Sequence, residues 1–140
     1  MLLNGKSVSD GAGDSDPHEL SLPLSGWLLR IARGTGRRPA LEVYSGAGFE
    51  DVSVAAVMGP ALLRGARRGR RLGRPWSLAW GQIPLSTDAV EVVFRRRQRS
   101  VPARPAVLLD RFWVAEVGLA CRSVTVRAGQ VQATARVMAA

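Results

Sequence analysis

The sequence predicts an all-β fold: one antiparallel β-sandwich of immunoglobulin-like architecture, with about seven or eight short strands. Three observations predict it. Val90, Val92 and Phe94 alternate with Glu91, Val93 and Arg95, and Val131, Ala133, Ala135 and Val137 alternate with Gln130, Gln132, Thr134 and Arg136. A period of two sends successive side chains to opposite faces of a strand, one apolar and one wet. Turn residues at Gly46, Gly59-Pro60, Asp110 and Gly129 cut the chain into short runs. Trp76, Leu78 and Trp80 fall on one face of a further run, a spacing that marks core packing of large aromatics.

Taken in order, residues 1–21 form an acidic tail rich in Ser, Gly and Asp, too polar to offset the entropy of ordering and so expected to be disordered. One domain spans 22–140. Residues 27–33 fit either a strand, with Trp27, Leu29 and Ile31 on one face, or a short helix grouping Trp27, Leu28 and Ile31. The Gly34-Thr35-Gly36 turn and the strand-like run 40–44 favour a hairpin. Val52, Val54, Ala56 and Met58 suggest a strand ending at Gly59-Pro60. Residues 61–75 are expected to be a long basic loop, because glycine at 65, 69 and 73 disfavours a helix by roughly 1 kcal/mol each relative to alanine. Runs 90–95 and 106–109 are expected to be joined across a basic tip of Arg96, Arg97, Gln98 and Arg99. A tight turn at Asp110-Arg111 leads into 112–117. Runs 122–127 and 130–137 pair across Ala128-Gly129. No internal period of 20–50 residues appears, which excludes a solenoid.

The composition of the 140 residues, 46% hydrophobic and 22% charged, allows a core without disulfides or metal. Cys121 is the single cysteine, so neither a disulfide framework nor a multi-cysteine metal site is available. The formal net charge is +9. The sign is uneven: Asp10, Asp14, Asp16 and Glu19 face Lys6 alone in the first twenty residues, and the arginines follow. Arginine in place of lysine is what GC-rich codon usage imposes. The excess of bases over acids is not explained that way, and a basic body attracts polyanions. The chain has no apolar run near the ~18 residues of a membrane helix and no recognisable secretory signal, and a cytoplasmic location is expected.

The run Val90-Glu91-Val92-Val93-Phe94, then 105–115 with Leu109-Asp110-Arg111-Phe112-Trp113, then Ser123-Val124-Thr125-Val126 resembles the C-terminal half of immunoglobulin-like β-sandwich domains of uncharacterised actinobacterial proteins. Those domains carry Asp-Gly in the turn before an aromatic-rich strand, where this chain has Arg111. The resemblance implies the fold over the last third of the chain and brings no activity, cofactor or site residue with it.

Few residues suggest chemistry. His18, the only histidine, sits in the expected tail, and a general base must be held within about 3 Å of its proton. A lone Cys121 at the start of a core strand reads as a small hydrophobe. A Cys-dependent enzyme would need the tail to fold back onto it. Glu50-Asp51 are neighbours on a turn, suited to water or to arginines rather than to sharing a proton. Gly34-Thr35-Gly36 and Gly46-Ala47-Gly48 lack the strand-to-helix context of a nucleotide site. No cofactor or metal set is present. The four tryptophans suggest core before a carbohydrate-stacking surface.

The residues that point to binding are the arginines of the basic loop, Arg64, Arg67, Arg68, Arg70, Arg71 and Arg74, with Arg96, Arg97 and Arg99 at the tip. Arginines spaced by glycine suit a run of phosphates or carboxylates, but aromatic interleaving for base stacking is missing. The plain alternative is a solvated loop that maintains solubility, and a charged tip that discourages edge-to-edge pairing. The expected function is therefore a non-catalytic interaction module that binds an acidic protein through shape and charge. Non-specific nucleic-acid binding is the alternative, and the acidic segment from Asp10 to Glu19 would screen the basic surface.

Overall fold

The computed structural model describes residues 18–33, 35–56, 58–85 and 89–140. They form thirteen strands in three sheets, more strands and one more sheet than a single sandwich of seven or eight. In chain order the strands are β1 (Glu19–Ser21), β2 (Leu28–Arg33), β3 (Pro39–Ser45), β4 (Gly48–Val54), β5 (Gly65–Arg71), β6 (Arg74–Gln82), β7 (Glu91–Arg96), β8 (Arg99–Ala103), β9 (Ala106–Leu108), β10 (Phe112–Val117), β11 (Ser123–Ala128), β12 (Val131–Arg136) and β13 (Met138–Ala139). The first sheet is β1-β2-β3-β4, the central sheet β13-β5-β6-β10-β9 and the third sheet β12-β11-β7-β8. All pairings are antiparallel except β13 with β5. Among the described residues, no helix is long and apolar enough to cross a membrane.

The alternation seen in the sequence explains the layering. On β6, Trp76, Leu78 and Trp80 enter one core with Phe112 and Val114 of β10, packed against Leu29, Leu41 and Val43 of the first sheet and against Trp27 just before β2. Their sequence neighbours Ala79, Trp113 and Ala115 enter a second core against Val92, Phe94, Val124 and Val126 of the third sheet. The central sheet is thus covered on both faces, and Trp76 through Gln82 are all buried. A strand buried on both sides loses the apolar-polar contrast. What remains is an alternation of large and small, in which Ser77, Ala79 and Gly81 leave room for the second core. At Gly81 a side chain would collide with the Leu62 carbonyl, which accepts the Trp113 indole N–H at 2.7 Å.

Four expectations are corrected. The fold begins before residue 22: β1 pairs with β2, and the Ile31 N–H donates to the His18 carbonyl at 2.8 Å. Residues 1–17, with Asp10, Asp14 and Asp16, lie outside the described residues. The basic loop at 61–75 is largely a hairpin, β5 pairing with β6 from Gly65 opposite Trp80 to Arg71 opposite Arg74. Glycine argues against a helix there, but Gly65 and Gly69 fit a strand because the rings of Trp80 and Trp76 lie over them, an arrangement known as aromatic rescue. The partner of β7 across the basic tip is β8 and not the run 106–109, since β9 crosses to the central sheet and pairs with β10. Finally, the turn before β10 is centred one residue earlier, on Leu109 and Asp110, both with positive φ. The 27–33 and 40–44 hairpin is present as β2-β3, and the Gly129 hairpin as β11-β12.

Candidate functional site

The nine arginines singled out in the sequence separate into distinct environments. Arg64 is tied to the fold. Its guanidinium meets Asp51 of β4 at 3.0 Å and donates to the Val52 carbonyl at 3.2 Å, and Asp51 also accepts the Trp80 indole N–H at 3.0 Å. These contacts fasten the first sheet to the central one and hold the Arg64 pKa above its ordinary value, the hydrogen bond to Asp51 being the main cause. Arg67 is half-buried opposite Leu78 of β6 and donates to the Ala66 carbonyl at 2.9 Å.

Arg70, Arg71 and Arg74 surround the tip of the β5-β6 hairpin. Arg70 donates to the Gly73 carbonyl at 2.6 Å and Arg71 to the Pro23 carbonyl at 3.1 Å. At the tip, Leu72 and Gly73 both have positive φ, and Leu72 is 91% exposed. Arg96, Arg97 and Arg99 form the β7-β8 turn and line a hollow of their own, apart from the one lined by Arg71 and Arg74.

Arg68 belongs to a third place that the sequence did not reveal. It lines a cleft of about 660 Å³ with Arg122, Ser123, Thr134, Ala135 and Arg136. Strand register brings these residues together. Arg136 of β12 is opposite Ser123 of β11, and Ser123 is opposite Arg95 of β7, so the three share the outer face, while Ala135, Val124 and Phe94 face inward. After β12 the chain crosses to the central sheet as β13, which pairs with β5 at Arg67 and Arg68. Backbone bonds fix the crossing: the Arg122 N–H donates to the Arg95 carbonyl and the Val137 N–H to the Arg122 carbonyl, both at 2.8 Å. Arg68 in turn donates to the Val137 carbonyl at 2.6 Å. None of the described residues lining the cleft is acidic, and among the described residues none of the three arginines is in an ion pair. Arg122 and Arg136 have no arginine neighbour in sequence, Arg122 standing just before β11 and Arg136 at the end of β12, so no charge run marks them. The signal lay in the hairpin register, which places Arg136 beside Ser123.

The residues considered for catalysis are placed apart. Cys121 is buried in the core between the central and third sheets, and burial pushes its thiol pKa up. His18 is at the first sheet, lining a hollow with Ile31, Arg33 and Leu109. Asp51 faces Arg64, while Glu50 accepts a hydrogen bond from the Ser45 hydroxyl at 2.5 Å. Trp27, Trp76, Trp80 and Trp113 are all buried, which removes them from any stacking surface.

Compared with known proteins, the chain matches no family model, no curated protein and no solved structure.

Proposed function

We propose that this protein is a non-catalytic interaction module that acts in the cytoplasm and binds an acidic protein partner through shape and charge. Its layered sheets serve as a rigid scaffold in the manner of an immunoglobulin-like sandwich. The observation that carries the reading is the convergence of Arg68, Arg122 and Arg136 on a cleft with no described acidic lining residue. Arg95, Arg96, Arg97 and Arg99 continue the positive surface along β7 and its turn, because Arg122 is hydrogen-bonded to the end of that strand. Charge arranged in this way steers an acidic partner and sets its orientation more than it supplies affinity.

Nucleic acid is the second reading. Single-stranded binding uses aromatic platforms beside the basic groove, whereas here all four tryptophans are internal and, among the described residues, Phe49 is the one aromatic of the large hydrophobic residues that are exposed. Binding of the full chain to poly-glutamate and to duplex DNA at about 50 mM salt, where the screening length is still above 10 Å, tests both. The expected result is retention on poly-glutamate that weakens with Arg122→Gln and Arg136→Gln. Failure to bind either polymer contradicts the proposal, and binding to DNA alone selects the second reading.

A further inference from the structure

Resting on that reading, we infer that the cleft of Arg68, Arg122 and Arg136 is a phosphate site that takes the dianion of a phosphate monoester. One guanidinium satisfies a carboxylate, since its fork matches two oxygens. Three arginines on the lining of one cleft exceed what a carboxylate needs, and their forks suit a monoester with three terminal oxygens and nearly two negative charges. Ser123 and Thr134 add hydroxyl donors on the same lining.

The site is also built rather than accidental. Its residues come from the central sheet (Arg68) and from the third sheet and the strand end just before it (Arg122, Ser123, Thr134, Arg136), at the point where the chain crosses between them. The Val137 carbonyl holds one nitrogen of Arg68, Nη1, which orients the guanidinium while leaving donors on its other nitrogens. Thr134 is set by its partner across the hairpin, the two hydroxyls of Thr125 and Thr134 lying 2.9 Å apart. Groups fixed before the ligand arrives lose less entropy on binding it. A cleft of about 660 Å³ lies within the range of roughly 300–1,000 Å³ common to ligand pockets, and it has room for a phosphorylated side chain as well as for free phosphate.

The test is a titration of the full chain with inorganic phosphate, with a glycine-flanked phosphoserine peptide and with the same peptide carrying glutamate, monitored by calorimetry. The phosphoserine peptide is expected to bind at least about tenfold more tightly than the glutamate peptide, a difference of about 1.4 kcal/mol. Equal affinity for inorganic phosphate assigns the site to a free ligand, and preference for the peptide assigns it to a modified protein; both support the phosphate site. Arg122→Lys keeps the charge and removes the fork, so it is expected to weaken phosphate binding while leaving poly-glutamate binding in place. Arg70→Gln at the hairpin tip leaves phosphate binding unchanged. Equal affinity for the phosphoserine and glutamate peptides, or phosphate binding indifferent to Arg122→Gln and Arg136→Gln in folded protein, overturns the inference. If poly-glutamate binding persists in that case, the inference alone has failed; if it is absent too, the interaction reading fails with it.

Discussion

Gly69 of β5 stands directly opposite Trp76 of β6, and a Cβ on Gly69 would come within 2.7 Å of the indole Cζ2. The ring therefore occupies the space a side chain would take. Gly69→Ala must shift a buried ring, and overpacking of this kind costs about 1–3 kcal/mol. Gly73 is unhindered but has φ of +77°, so Gly73→Ala costs about 1–2 kcal/mol through backbone strain. Urea unfolding measures both. A Gly69→Ala protein as stable as the parent would show that the ring does not depend on the missing side chain.

Trp80 and Trp76 occupy the same face of β6 with different polar fates. The Trp80 indole donates to Asp51, whereas Trp76 Nε1 is buried with no hydrogen-bond partner among the described residues. Replacing Trp80 by Phe deletes a satisfied hydrogen bond and one of the bonds joining the first two sheets. Replacing Trp76 by Phe deletes an unmet donor. Trp80→Phe is expected to destabilise more than Trp76→Phe by about 1 kcal/mol, the net value of one hydrogen bond. Equal losses in thermal or urea unfolding contradict this.

Much of this fold was legible because alternation is a local signal. The β2-β3 and β11-β12 hairpins and the buried face of Trp76, Leu78 and Trp80 follow from it directly. The identity of β5 was hidden, since Gly65 and Gly69 carry no side chain and what makes them strand residues is the pair of tryptophans across the hairpin. The destination of β9 was hidden for a different reason: three residues, Ala106–Leu108, do not say which sheet they join. The candidate site was legible at Arg68 and at the tip arginines only. Arg122 and Arg136 acquire meaning when strand register and the crossing to β13 set them beside Arg68.

Cys121 is 1% exposed, and desolvation raises its thiol pKa, outweighing the Ser77 hydrogen bond and the charge of Arg96. The thiolate is the nucleophile, so iodoacetamide near pH 7 is expected to label the native protein far more slowly than the urea-unfolded chain. Rapid labelling of native protein would favour a Cys-dependent enzyme over an interaction module.

Glu42 of β3 accepts hydrogen bonds from Arg30 at 2.8 Å and from the Tyr44 hydroxyl at 2.9 Å. Desolvation pushes its pKa up, but these bonds and the Arg30 charge outweigh it and hold the pKa below the ordinary 4.5. A depressed folded-state pKa contributes stability above the unfolded value, and that stability is lost as pH falls through the folded one. Glu42→Gln is therefore expected to lower the urea midpoint at neutral pH, and its gap from the parent is expected to shrink as pH falls below the ordinary carboxylate range. A gap that stays constant as pH falls contradicts this.

The most direct test of the binding surface is an NMR titration of the arginine Nε–Hε signals of the full chain with poly-glutamate. Shifts are expected to concentrate on Arg68, Arg122 and Arg136 and to extend to Arg95, Arg96, Arg97 and Arg99. Arg64 stays still because Asp51 already holds it. Shifts confined to Arg70, Arg71 and Arg74 at the hairpin tip, or spread evenly over every arginine, would contradict this.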